Sequence, residues 1–325
     1  MDPYQELTLY QRSAVLMAAA KLGIFAALAG GAATPAEAAQ KVSAPLDTVA
    51  RLLEALAASQ YISRDRGRYA LNNFSKTFLS GGPGGMKRLA WKEHLFYTAW
   101  SRLDEAITSG NALFPSYAER VAKDLPSVEN FLLALNDIAE TAAPGVIATG
   151  AFQSARTILD LGGGGGGYAA ALANALPSVP VTLADLPQIL PIALGYLKEK
   201  GLADRIELVD ADFRKENCGI EGRTFDAVFL SHVLHDFDAA GASAIIARAA
   251  SLVKRGGKLI VLDVLVPNGG HQNPVEALFD LMMLVEVPQG RTHRLSDVGD
   301  WLQAAGMASS KSHKLYFGTL VESVR

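Results

Sequence analysis

Cysteine is almost absent from the 325-residue sequence. Cys218 stands alone, so no disulfide can close within the chain and no cysteine-based metal site can form. A reducing compartment fits that usage. The N-terminus lacks a basic segment followed by an apolar run, and no stretch reaches the roughly 18 apolar residues of a membrane span. A cytoplasmic protein with no membrane partner is expected. Excess positive charge is also missing. The net charge is −3, which argues against a general nucleic-acid binder. What remains is a chain with half its residues hydrophobic, long enough for one large or two ordinary domains.

Glycine, by contrast, is plentiful, and six glycines stand in one run after Asp160-Leu161. The apolar residues from Thr157 to Leu159 read as a buried strand, with Asp160 at its carboxyl end. The glycines follow, and Tyr168 to Leu172 opens a helix. Strand, glycine turn and helix form the first unit of a doubly wound α/β sheet. The frame is Asp160-x-Gly162-x-Gly164-x-Gly166. An acid two positions before the first glycine repels a pyrophosphate but welcomes a cation, such as the sulfonium and amine of S-adenosylmethionine. A dinucleotide site is therefore disfavoured. Asp185 ends the next strand, 179–184, where a carboxylate can bind ribose hydroxyls.

The first 80 residues read as small helices and a hairpin. In the alanine-rich stretch 10–29, Val15, Leu16, Ala19 and Leu22 share a helical face. Thr34-Pro35-Ala36-Glu37 is a capping box with proline at the first helical position. A helix opening near Pro45 places Val49, Leu52, Leu53 and Leu56 on one side. Asp65-Arg66-Gly67 then turns a hairpin. Three helices and a hairpin make a winged helix, a form that can bind DNA. The helix that would enter the groove carries Asp47, Arg51 and Glu54, a poor phosphate partner. The wing arginines 64, 66 and 68 fit a solvated hairpin. Few charges lie between residues 13 and 36, so these helices need an apolar partner. A homodimer through the N-terminal domain is expected.

Residues 81–86, Gly-Gly-Pro-Gly-Gly-Met, read as a connection. Helices over about 87–110 and 126–149 carry an aromatic stripe that fits either core or a ligand wall between domains. Phe96, Trp100, Phe131, Asn136 and, further on, Met282 are candidate substrate-wall residues. Strands at 205–209, 224–233 and 258–266 continue the alternation, with a helix over 239–254 stopping at Gly256-Gly257. Helices at 275–286 and 295–305 lead to a final strand, 314–321. The domains are expected at 1–85, 86–150 and 151–325.

With these motifs in order, the chain resembles the S-adenosylmethionine-dependent small-molecule O-methyltransferases, the class that includes caffeate, hydroxyindole and bacterial polyketide O-methyltransferases. The resemblance covers nearly the whole chain. It rests on Asp160-Leu-Gly-Gly-Gly-x-Gly166, Ala184-Asp185-Leu-Pro187, Ala211-Asp212-Phe213 and Val233-Leu-His235-Asp236-Phe-Asp238. It implies a Rossmann-like methyltransferase domain behind a winged-helix dimerisation domain, a small aromatic acceptor and no metal. It places Gly162 and Gly164 beside the methionine part of the cofactor and Asp185 on its ribose. Leu186 then packs beside the adenine, Asp212 accepts from its amine and Phe213 covers the ring. Ser231 stands near the cofactor where relatives often carry Lys or Arg. His235 matches the general base and Asp263 the acid that orients it. The competing reading of His235 is a loop histidine bonded to Asp236, the lesser of the two. His232, within the strand, reads as structural.

One departure stands out. Many members of that family carry a second catalytic acid in a Gly-x-Glu-Arg-Thr-like stretch. Here Gly290-Arg291-Thr292-His293-Arg294 places Thr292 at the glutamate, with Glu286 a possible replacement. Two rival functions keep the cofactor: non-methylating chemistry (decarboxylation, hydroxylation or a pericyclic step) and a cofactor-sensing regulator. An NAD dehydrogenase is disfavoured by Asp160.

Overall fold

The structure, a computed structural model, describes residues 2–79, 87–215 and 218–325. The connection expected at 81–86 lies outside the described residues. The chain divides into two compact units between Thr98 and Ala99.

The first unit carries α1 (Pro3–Thr8), α2 (Tyr10–Leu22), α3 (Ile24–Leu28), α4 (Pro35–Lys41) and α5 (Leu46–Ala58), then β1 (Ile62–Asp65), β2 (Arg68–Leu71) and α6 (Asn73–Phe78). The alanine-rich stretch is broken where Gly23 takes φ 78°, so Leu22 ends a helix and stays exposed. The Thr34–Glu37 capping box forms as expected. Val49, Leu53 and Leu56 of α5 are buried with Phe25, Leu28, Ile62 and Tyr69. Arg66 and Gly67 both have positive φ, as a two-residue hairpin turn requires. Arg64 pairs with Glu54 at 2.5 Å and Arg68 with Glu37 at 3.0 Å. Two of the three wing arginines are thus engaged by acids of their own unit, which fits the solvated hairpin and not a phosphate grip.

α7 (Lys87–Trp100) runs across the division, and α8 (Leu103–Ser109), α9 (Tyr117–Lys123) and α10 (Leu125–Ala148) follow. The sheet unit then adds β3 (Ile158–Leu161), α11 (Gly167–Ala175), β4 (Val181–Asp185), α12 (Leu190–Glu199), β5 (Ile206–Asp210), β6 (Phe225–Ser231), a 3-10 turn (Leu234–Asp236), α13 (Ala239–Ser251), β7 (Val253–Asp263), α14 (Pro274–Glu286), α15 (Leu295–Ala304), β8 (Ser310–Leu315) and β9 (Gly318–Val324). The strand order is β5-β4-β3-β6-β7-β9-β8. The first five are parallel and β9 runs antiparallel to both neighbours. The order reverses between β3 and β6, and ligands bind such sheets outside the carboxyl ends at that reversal. Leu161, Asp185, Ser231 and Asp263 end four neighbouring parallel strands there.

Two expectations about elements are corrected. Lys254 to Gly257 do not close α13, which ends at Ser251. They form an irregularity at the start of β7, where Gly256 has φ 79° and a Cβ on Gly257 would come within 2.7 Å of the Asp226 carbonyl. The C-terminus is a hairpin, β8–β9, rather than one strand. α10 is long and apolar enough to cross a bilayer by length and composition, but it lies on α11 and buries eight residues, Asn136 and Asp137 among them.

Candidate active site

The glycine turn is built so that nothing but backbone fits. Gly162, Gly164 and Gly166 all have positive φ. A Cβ on Gly162 would come within 3.0 Å of Phe213 and Val233. One on Gly163 would lie 2.7 Å from Leu183 and 2.9 Å from an Asp160 oxygen. The turn is clamped by Asn136 of α10: its Nδ2 donates to the Gly165 carbonyl at 2.8 Å, and its Oδ1 accepts from Gly167 N at 3.0 Å. Asn136 was expected in a substrate wall; its amide instead binds the backbone of the turn.

Asp160 is fully buried, and among the described residues neither carboxylate oxygen has a hydrogen-bond partner. Burial, and then the charge of Asp185, push its pKa up to about 7. Asp185 accepts from Gly164 N at 2.8 Å and Leu186 N at 2.7 Å, so it ties the glycine turn to the end of β4. Each of its oxygens keeps a lone pair for a ribose hydroxyl. Burial first raises its pKa, to about 6, against those two N–H donors. Leu186 is half-buried over the cluster of Leu132, Ile189 and Ile192. Asp212 is gripped by Arg214 at 2.7 and 2.8 Å and held down to about 2. Phe213 beside it faces Gly162, and its carbonyl accepts from Arg248. Ser231 is half-buried at the end of β6.

A buried, unpaired carboxylate below a backbone cradle, with a second carboxylate at its lip, fits a cationic adenosyl cofactor. Asp185→Ala should weaken S-adenosylhomocysteine binding by about 1.5 to 3 kcal/mol, the scale of charged hydrogen bonds. Calorimetry checks this, with NADH expected to be silent. Tight NADH binding would overturn the cofactor assignment.

The β6–β7 edge carries a dyad. His235 lies in the 3-10 turn after β6, and its Nδ1 is 2.7 Å from Oδ1 of Asp263 at the end of β7. The other Asp263 oxygen accepts from Leu234 N at 3.0 Å and His235 N at 3.3 Å. The contact with Asp236 is longer, 3.6 Å to Nε2, so the histidine is oriented by Asp263 and not by its neighbour. Burial disfavours the imidazolium, but Asp263 with Asp236 and Glu286 outweighs it and pushes the His235 pKa up to about 9. Asp263 is nearly inaccessible; burial would raise its pKa, yet His235 holds it down to about 2. The Phe279 ring meets the His235 ring edge-on at 5.1 Å.

His232 was expected inside the strand. It stands one residue beyond, with φ 54°, and its ring lies 6.1 Å from that of His235 and 6.3 Å from Tyr168. Burial keeps it neutral, with a pKa of about 4. His232, His235 and Asp263 have ligand atoms within 4.8 Å of one another, but His235 and Asp263 are already bonded to each other.

The 290–294 stretch is a scaffold for the histidine turn. Arg291 N donates to the His235 carbonyl at 2.9 Å. His293 Nε2 lies 3.0 Å from the Leu234 carbonyl and 3.1 Å from that of Phe237. Thr292 does not face the dyad; its N and Oγ1 both donate to Asp280 at 2.7 Å. Gly290 beside Arg291 is also close, and a Cβ on it would lie 3.2 Å from the His235 carbonyl and 2.7 Å from Val287 Cβ. Glu286, at the end of α14, is buried and within electrostatic reach of His235.

Of the other expected wall residues, Phe131 faces the Arg120 guanidinium at 5.5 Å. Met282 and Trp100 are half-buried on α14 and α7, and Phe96 is buried under the Lys92 ammonium, 4.4 Å from its ring. Arg120 and Asp280 carry no signal in the sequence, and His293 stands there only as part of the 290–294 stretch. No motif spacing marks them, because their partners lie far along the chain.

An open parallel sheet, a backbone cradle and a histidine–carboxylate dyad across the strand reversal define a group-transfer enzyme with a cationic cofactor. The chain matches the O-methyltransferase domain over residues 100–308 and the O-methyltransferase dimerisation domain over 5–81, and it belongs to this S-adenosylmethionine-dependent family. Among curated relatives, 3-hydroxy-5-methyl-1-naphthoate 3-O-methyltransferase of Streptomyces sahachiroi is 27% identical over 93% of this chain and 87% of its own length. The mitomycin biosynthesis 6-O-methyltransferase of Streptomyces lavendulae is 29% identical, covering 90% and 85%. Human N-acetylserotonin methyltransferase, solved in complex with SAM, shares the fold at a TM-score of 0.89 and 21% identity, covering 99% of this chain and 96% of that one.

Proposed function

We propose that this O-methyltransferase acts on a phenolic hydroxyl of a small aromatic or polyketide-like metabolite, with His235 as general base. The observation that carries the reading is the 2.7 Å bond between His235 Nδ1 and Asp263 at the carboxyl ends of β6 and β7. When bound, S-adenosylmethionine supplies an electrophilic methyl group. Asp263 holds the Nδ1 proton and leaves Nε2 to take the acceptor's proton. Histidine is too weak to ionise a phenol beforehand, so it removes the proton as the oxygen attacks. A raised pKa makes it the stronger acceptor. Asp185, the glycine turn and Asp212-Phe213 hold the adenosine, and the helices between Ala99 and Ala148 contribute acceptor walls. The acceptor named for the Streptomyces sahachiroi relative, 3-hydroxy-5-methyl-1-naphthoate, agrees with this class. Incubation with methyl-labelled cofactor and a panel of phenols tests it. Label in no small molecule, despite tight cofactor binding, would favour the sensing or non-methylating alternatives.

The N-terminal unit, 1–85, serves as the interface of a cytoplasmic homodimer. Tyr4, Leu7, Leu9 and Tyr10 are exposed, and α1 buries none of its residues. Light scattering at micromolar concentration should give a dimer, and deleting residues 1–30 should give aggregates. A native monomer would count against this.

A further inference from the structure

Arg120 is placed as no structural arginine needs to be. It projects from α9 among three rings, with its guanidinium carbon 5.9 Å from the Phe114 centroid, 5.7 Å from Tyr117 and 5.5 Å from Phe131. Its Nε–H is buried and has no hydrogen-bond partner. Among the described residues its one polar contact runs from Nη2 to Glu286 at a long 3.3 Å. A buried donor left unmatched is costly, and a planar guanidinium fork matches a carboxylate better than any other common group. The location borders both the histidine dyad and the cofactor side, since Tyr117 and Phe131 pack in one cluster with Leu186. Arg120 acts electrostatically on Asp236, which flanks His235, and its partner Glu286 acts on His235 itself. Tyr117, against the Arg120 guanidinium, is within electrostatic reach of both Asp185 and Asp236.

We propose that Arg120 anchors a carboxylate carried by the aromatic acceptor, with Phe114, Tyr117 and Phe131 as the walls for its ring system, so that the preferred acceptor is a hydroxyarene carboxylic acid. The inference rests on the methyl-transfer reading and narrows its substrate class. The guanidinium fixes one end of the planar molecule, which sets the hydroxyl that reaches His235 Nε2. Arg120 is therefore a specificity residue and takes no proton. Glu286 holds the guanidinium in place when no acceptor is bound, and the unmatched Nε–H, buried among the rings, meets the carboxylate as the acceptor enters between them.

The test uses the full-length enzyme, S-adenosylmethionine and matched isomers of hydroxynaphthoic acid, hydroxynaphthamide and naphthol. The native enzyme should prefer an acid over its amide by roughly 10- to 100-fold in kcat/KM, the scale of a charge-assisted pair. Arg120→Gln should raise KM for the acid by that factor and KM for the amide far less, so that the acid-over-amide preference collapses while kcat stays within a few-fold. Arg120→Lys should recover part of the acid preference, as a point charge does. Should Arg120→Gln fail to fold, Glu286→Gln supplies the second reading. In enzyme loaded with S-adenosylhomocysteine, it should bind the acid more tightly and the amide no differently. Equal KM for acid and amide in the native enzyme overturns the proposal, as does a parallel loss on both in Arg120→Gln. Binding of no acid overturns it too. Label transferred to naphthol in the same assay would leave methyl transfer standing and dispose of the carboxylate anchor alone.

Discussion

His235→Ala should lower turnover by about 10² to 10⁴, the usual worth of a positioned base. Cofactor affinity should hardly change, because Asp185 and the glycine turn lie on other strands. Asp263→Asn should cost less, since it loosens the ring and removes a charge but leaves the base. The pH profile is the sharper readout. His235 is held up to about 9, so in the free enzyme at neutral pH it carries a proton that blocks its role. The native rate should therefore climb as pH rises toward 9. Linkage gives the matching sign for stability. A histidine raised from 6.5 to about 9 contributes stability fully present below 6.5, and that contribution is lost as pH rises through 9. His235→Ala should lose this dependence. Its residual rate should instead follow ionisation of the phenol near pH 10, so the gap between the two proteins narrows at high pH. Rates of methyl transfer against pH for both proteins check this. Equal rates at neutral pH would remove His235 from catalysis.

Asn136→Ala should be the most damaging change away from the dyad. It strips partners from the Gly165 carbonyl and Gly167 N–H at once. Each buried backbone group left unpaired costs roughly 1 to 3 kcal/mol. For a chain of this size the melting temperature should fall by about 5 °C or more. The turn that Asp185 grips would also loosen, so S-adenosylhomocysteine should bind about tenfold more weakly for every 1.4 kcal/mol lost from the bound form. Asn136→Asp should fall between, because it keeps the acceptor for Gly167 N and loses the donor to Gly165. Calorimetric scans with and without S-adenosylhomocysteine read both effects. An unchanged melting temperature and affinity would show that the clamp is dispensable.

The sequence by itself determined the local elements and the parts of the site written in short spacing. The glycine turn was legible because φ beyond zero and close approach demand glycine. The Thr34–Glu37 box and the Arg66-Gly67 turn were legible because capping and turn chemistry act within four residues. Asp160, Asp185, His235 and Asp263 could be located because parallel strands put their carboxyl ends on one edge. The tertiary structure alone decided what those residues touch. Whether His235 leans on Asp236 or Asp263 depends on the pairing of β6 with β7. The clamp from Asn136 depends on α10 lying against α11, 29 and 31 residues away from its two partners. What Thr292 binds was not legible, because a loop's direction is set by the Asp280 and His235 contacts and not by counting from a motif. Arg120 and Glu286, 166 residues apart, show the same rule at its limit. Short-range propensity is a property of neighbours in the chain, whereas the charge and burial that tune a site come from neighbours in space.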